Sequence, residues 1–219
     1  MVRPRIVSRL PTYAPAERRA DRYVHIAGLI LGAAGFALLV EVAVRRAEAL
    51  LSFSLIVYGC GLLGMLTCSA LYHLTPPSLR KKRLQRLDHA AIFVMIAGTY
   101  TPFVLVAIPE ASGAGLFAFV WIAAIFGAVL KLRCPRRWDR LSIAAYILLG
   151  WSFLVALDQM LAALSRPAAI LLITGGILYT CGVAFHVSTR LPYQNAIWHA
   201  CVLIAAGCHY AAIIGYVAA

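Results

Sequence analysis

Seven runs of about 20 residues, almost free of charge, divide this chain, and nothing else constrains its fold so tightly. A bilayer core takes roughly 20 apolar residues per helix at about 1.5 Å each. The runs are 23–44, 50–74, 90–108, 115–132, 141–160, 167–187 and 196–217; Glu41 and Asp158 leave the first and fifth less clean. Lipid offers the backbone no hydrogen bonds, so such runs must close their own as helices. The expected fold is therefore all-α: a polytopic membrane protein built as a seven-transmembrane-helix bundle. A hydrophobic content of 63%, only 13% charged residues and a mean hydropathy of +0.85 exclude an ordinary soluble domain. Residues 23–219 read as one helical domain behind a basic arm, 1–22. With Pro4, Pro11 and Pro15, that arm is expected to stay irregular until about Ala16. It also sets the first run too far in, and makes it too long, for a cleaved signal peptide.

The cations give the orientation. Arg3, Arg5, Arg9, Arg18, Arg19 and Arg22 precede the first run. Arg80, Lys81, Lys82, Arg83 and Arg86 follow the second, Lys131, Arg133, Arg136, Arg137 and Arg140 end or follow the fourth, and Arg190 follows the sixth. Only Arg45, Arg46 and Arg166 fall on the other side. By the positive-inside rule the amino terminus is expected in the cytoplasm and the carboxyl terminus outside, as an odd number of spans requires. The net charge of +12 is then a polybasic face against anionic lipid, and calls for no nucleic acid.

Six cysteines (Cys60, Cys68, Cys134, Cys181, Cys201 and Cys208) form no C-x-x-C pair, so neither a disulfide framework nor a zinc knuckle is expected. Gly28-x3-Gly32 and Gly59, Gly61 and Gly64 suit close helix contacts. Three other elements carry chemistry: Ser69-Ala70-Leu71-Tyr72-His73, Arg86-Leu87-Asp88-His89 and Asn195-Ala196-Ile197-Trp198-His199. Each lies at the end of a run, and all three ends fall on the basic side. Ionisable groups in a membrane are costly unless paired or bound to a metal. His73, Asp88 and His199 thus form a candidate metal site, since zinc takes imidazole nitrogen and carboxylate oxygen and a catalytic site keeps one position open.

Ser69 stands one helical turn deeper than His73 on the same face, where it can orient the imidazole or donate to an oxyanion. The plainer alternative is a hydroxyl bonded back to a helix carbonyl. Asn195 shares a face with His199 and suits a hydrogen bond to a ligand or water. A lone histidine at a helix end is ordinarily interfacial, and His25, His89 and His186 are read that way. His209 lies ten residues past His199, about 15 Å further along the axis, deep in the membrane. Thr99, Thr101 and Pro102 suggest a kink with repaired backbone bonds.

On these residues the chain resembles the hemolysin III family, the bacterial branch of the progestin and adipoQ receptor (PAQR) proteins. The resemblance runs from Asp21 onward. It rests on Ser69-x3-His73, the ordered stretch from Arg86-Leu87-Asp88-His89 to Gly98-Thr99-Tyr100-Thr101-Pro102-Phe103, Ala196-Ile197-Trp198-His199 and His209-Tyr210. It implies a multi-pass protein of the bacterial inner membrane, a role in membrane lipid and fluidity homeostasis, and a hydrolase core shared with alkaline ceramidases. In the receptor branch, zinc is held by the histidine of S-x3-H and both histidines of H-x3-H, while the Asp contacts a water. Those positions here are His73, Asp88, His199 and 195. Asn195 departs from the pattern, which leaves one nitrogen ligand missing and zinc short of a donor.

Three functions compete. The first is a Zn²⁺-dependent hydrolase of a lipid amide or ester, with Asp88 as general base and Ser69 at the oxyanion. The second is a membrane sensor with a structural metal joining the second, third and seventh runs. A pore-forming cytolysin is the weakest, for no run carries a repeated polar stripe. Membrane lipids are the expected partners. Retinal is excluded because Lys81, Lys82 and Lys131 are the only lysines and none lies in the last run. A G-protein-coupled receptor would place its amino terminus outside. Haem ligation fits the histidine depths poorly.

Overall fold

Pro15 and Glu17 open the first helix. Proline at the first helical position has no N–H to leave unpaired, and the Glu17 carboxylate accepts from the Ala14 N–H at 2.7 Å. Helix α1 therefore spans Pro15–Arg46, starting two turns earlier than the apolar run did, and ends at Ala47, whose φ of 54° is left-handed. The structure, a computed structural model, describes residues 14–108, 110–134, 139–188 and 190–218. Arg3, Arg5, Arg9, Arg136 and Arg137 of the basic face lie outside them.

The chain continues through α2 (Ala49–Leu74), α3 (Leu79–Pro102), α4 (Glu110–Arg133), α5 (Asp139–Gly150), α6 (Leu157–Ala163), α7 (Arg166–Val187) and α8 (Gln194–Ala218). A short 3-10 stretch, Ser152–Ala156, joins α5 to α6 within one span. Seven helices or helix pairs among the described residues are long and apolar enough to cross a membrane, so the expected seven-span all-α architecture holds. The described residues contain no strand. Helices α1, α2, α3 and α4 pack in order, α7 pairs with α8, and α8 returns to α1. The broken α5–α6 span packs more thinly against α3, α4 and α7.

Small residues set the close approaches. A Cβ at Gly32 would clash with the flexible tip of Leu66, and one at Gly59 would strike the Phe36 ring. At Gly98 α3 lies against the α2 backbone near Val57 and Tyr58, at ordinary van der Waals spacing. Pro102 cannot donate to a carbonyl one turn back; one π-helical turn, Phe103–Ala107, follows it. Thr99 and Thr101 turn their hydroxyls back to the Met95 and Ala97 carbonyls at 2.9 Å each.

The break in the fifth span is served from outside. The Tyr100 hydroxyl lies 3.0 and 2.8 Å from the Leu149 and Gly150 carbonyls, and accepts from the Phe153 N–H at 2.8 Å. One side chain of α3 thus supplies the backbone partners that α5 loses where it unwinds. Removing it strands a buried N–H, which costs about 1–3 kcal/mol. Tyr100→Phe is expected to lower the free energy of unfolding by about that amount in a reversible detergent titration. An unchanged value would show that the break is stabilised elsewhere.

Candidate metal centre

Four ligand-type side chains meet at one end of the bundle. Asp21 and His25 are one turn apart on α1, His73 occupies the last turn of α2, and His199 lies in the second turn of α8. Each offers one donor atom, and these atoms all lie within 4.8 Å of one another. Asp21, His25 and His199 are buried and His73 nearly so. The His199 Nδ1 is 2.6 Å from the Asp21 Oδ1. His25 Nε2 and His73 Nδ1 each lie 3.6 Å from an Asp21 oxygen. The imidazole centroids are 4.3 Å apart for His73 and His199, 4.4 Å for His25 and His199, and 5.2 Å for His25 and His73.

Local contacts hold this geometry. The Glu17 carboxylate, one turn before Asp21, also accepts from the Tyr193 N–H at 2.8 Å, joining the start of α1 to the approach of α8. Lys81 donates from Nζ to the Thr75 and His73 carbonyls at 2.8 and 3.4 Å and covers the Tyr72 ring. It thereby ties down the end of α2 that carries His73.

The donor set fits a metal ion. His25 Nε2 is buried with no hydrogen-bond partner, an expense that a bound cation would remove. Three imidazoles packed together with a single carboxylate form an N3O set of the kind that borderline transition metals take. The short Asp21–His199 bond is also the pattern by which a carboxylate fixes the tautomer and aim of a ligating histidine.

The expected residues divide. His73 and His199 come together as anticipated. Asp88 lies outside the four, buried on α3, with the Ser69 hydroxyl placed to donate to it. Asn195 lines the adjoining cavity without joining the set. His25, read as interfacial, is at the centre of the cluster, and Asp21 was not anticipated there at all. The signal was the Asp21-x3-His25 spacing, hidden because Arg18, Arg19 and Arg22 made the segment look like a solvated arm. His186 does stay apart, packed on Trp198 with ring centroids 5.0 Å away.

A cavity of about 1170 Å³ opens beside the cluster. Charged residues line one end, including Arg18, Lys81 and Asp88, and its wall runs inward to Trp151, Tyr179 and His209. Such a polar-to-apolar gradient suits an amphiphile.

A family model described as "Haemolysin-III related" matches residues 18–210. The chain is 34% identical to a "Hemolysin-3 homolog" of Bacillus subtilis over 85% of its own length and 88% of that protein's. It is 33% identical to "Hemolysin-3" of Bacillus cereus over 92% of both. A human "Monocyte to macrophage differentiation factor" is 26% identical over 91% of this chain and 84% of that protein. No solved structure gives a significant match.

His25→Ala separates this ligand set from the one expected from sequence. Affinity for Zn²⁺, measured by competition with a chromophoric chelator, should fall at least 10-fold, as for His199→Ala. Asn195→Ala should leave it within about twofold. Wild-type affinity in His25→Ala would remove His25 from the centre.

Proposed function

The chain belongs to the haemolysin-III-related family, and on that premise we propose a zinc-dependent hydrolase of a lipid amide or ester, serving lipid homeostasis in the bacterial inner membrane. The excess of basic residues at the metal-site end supports a cytoplasmic placement of that end and of the amino terminus. The observation that carries the reading is the separation of roles around the cavity. His25, His73 and His199 supply three nitrogens, which makes good the donor missing at Asn195. Asp88 and Ser69 remain outside the set, on the wall of the same cavity.

Zinc bound there would polarise a substrate carbonyl and make water acidic enough to attack near neutral pH. Asp21 holds the His199 ring through the 2.6 Å bond to Nδ1. Asp88 takes the proton from the attacking water and passes it to the leaving nitrogen or oxygen. Ser69 aims that carboxylate through its hydroxyl, a positioning role in place of the oxyanion contact expected from the sequence. The apolar wall, with Ile92, Met95 and Val202, excludes water and receives the chain of the lipid.

A second reading draws on Asp21 itself. With its carboxylate as fourth donor the set is closed, as structural zinc sites are. The metal would then fasten α1, α2 and α8 in a non-enzymatic sensor.

Purified protein in liposomes, given ceramide-like and phospholipid substrates, decides between them. Asp88→Asn should lower kcat by at least about 100-fold with metal content unchanged. His73→Ala should lose both turnover and metal. Turnover in neither the wild type nor the variants, with a melting temperature that drops on chelation, would instead establish the structural metal.

A further inference from the structure

His209 plays no part in the chemistry above, yet its place is built. Its Nε2 lies 3.1 Å from the Leu172 carbonyl oxygen on α7. Gly175 makes room for the ring, since a Cβ there would collide with the imidazole. Tyr179 flanks it with ring centroids 5.5 Å apart. Two helices and a glycine thus fix one imidazole at the inner part of the cavity wall.

The contact also fixes its chemistry. A carbonyl can only accept, so in the neutral ring Nε2 carries the proton and Nδ1 is left as an acceptor. Among the described residues nothing bonds to Nδ1. The residue is half-buried and lines the cavity. Two polar groups further along the wall bond to each other and to the backbone: Trp151 Nε1 donates to the Thr180 Oγ1 at 2.9 Å, and Thr180 donates to the Gly176 carbonyl at 2.8 Å. His209 therefore offers an acceptor lone pair on a stretch of wall that also carries the Tyr179 and Trp151 rings.

We propose that His209 Nδ1 recognises a hydroxyl group carried part-way along the acyl chain of the lipid held in this cavity. This rests on the reading that the cavity takes an acyl chain whose polar end lies at the metal centre. A hydroxyl supplies the one donor that Nδ1 needs and tolerates an apolar surround. An ammonium would need a carboxylate beside it, and the acidic residues of this wall (Glu17, Asp21 and Asp88) are all at the other end. The distance gives the position. His209 is ten residues beyond His199 on α8, about 15 Å by helical rise, which an extended chain with C–C bonds of about 1.52 Å covers in roughly 12 bonds.

The test uses the wild-type protein in detergent and displacement of a fluorescent fatty acid. Octadecanoic acid is compared with derivatives hydroxylated near the sixth, the twelfth and the last carbon. The derivative hydroxylated at about the twelfth carbon should bind about fivefold tighter than the plain acid, the ratio that one net hydrogen bond gives, and the other two should not. His209→Phe and, separately, Gly175→Ala should abolish the preference, so that within each variant the twelfth-carbon derivative binds no tighter than octadecanoic acid. Equal binding of all four acids overturns the proposal alone, for it means that water satisfies Nδ1. A preference indifferent to hydroxyl position, or one that survives His209→Phe, also overturns it. Binding of none of the four overturns the acyl-chain reading as well.

Discussion

The Asp21 carboxylate is the constraint around which this bundle is arranged. A buried carboxylate is costly unless compensated, and near a membrane its compensation must come from the protein or a bound ion. Here three imidazoles from three helices converge on it, with the short bond to His199 closing α8 against α1. Those helices are far apart in sequence, 178 residues for the pair Asp21 and His199. Only the full antiparallel course of the chain brings their ends to one level. The cluster therefore depends on the fold, and an ion held there would in turn fasten the first, second and last spans together.

The spans were legible because hydropathy over about 20 residues is a strong local signal, and the helices follow it nearly run for run. His73 and His199 were legible because each ends such a run beside other polar residues. Asp21 and His25 were obscured by the same rule. The arginines around them are what a cytoplasmic arm should carry, and hydropathy places no helix boundary within a charged segment. Helix α1 begins at Pro15 because Glu17 caps it and links it to Tyr193, a contact across 176 residues that no window can register. The break between α5 and α6 was invisible for a similar reason. Nothing in 141–160 marks it as strongly as the Tyr100 hydroxyl, which lies on another helix.

The substitution at 195 has a different meaning once α1 is in place. On sequence it removes one nitrogen from a site made by the second, third and seventh spans. In the structure the nitrogen is restored by His25, so the donor set moves to the first, second and seventh spans (α1, α2 and α8) and α3 drops out of it. That leaves Asp88 beside the site without tying it to an ion. A carboxylate that binds a metal is a poor base, because its lone pairs are engaged; Asp88, outside the donor set, keeps its lone pairs free of an ion.

Helix α3, unlike the helices of the cluster, does not run through its span as one regular helix. It leads through Pro102 into a π-helical turn, and its Tyr100 supports the break in its neighbour. Both features lie towards the end of α3 away from Asp88, whereas α1, α2 and α8 run without interruption through the cluster. Three uninterrupted helices thus carry the candidate donors, while the helix that carries Asp88 runs at its far end into a π-helical turn.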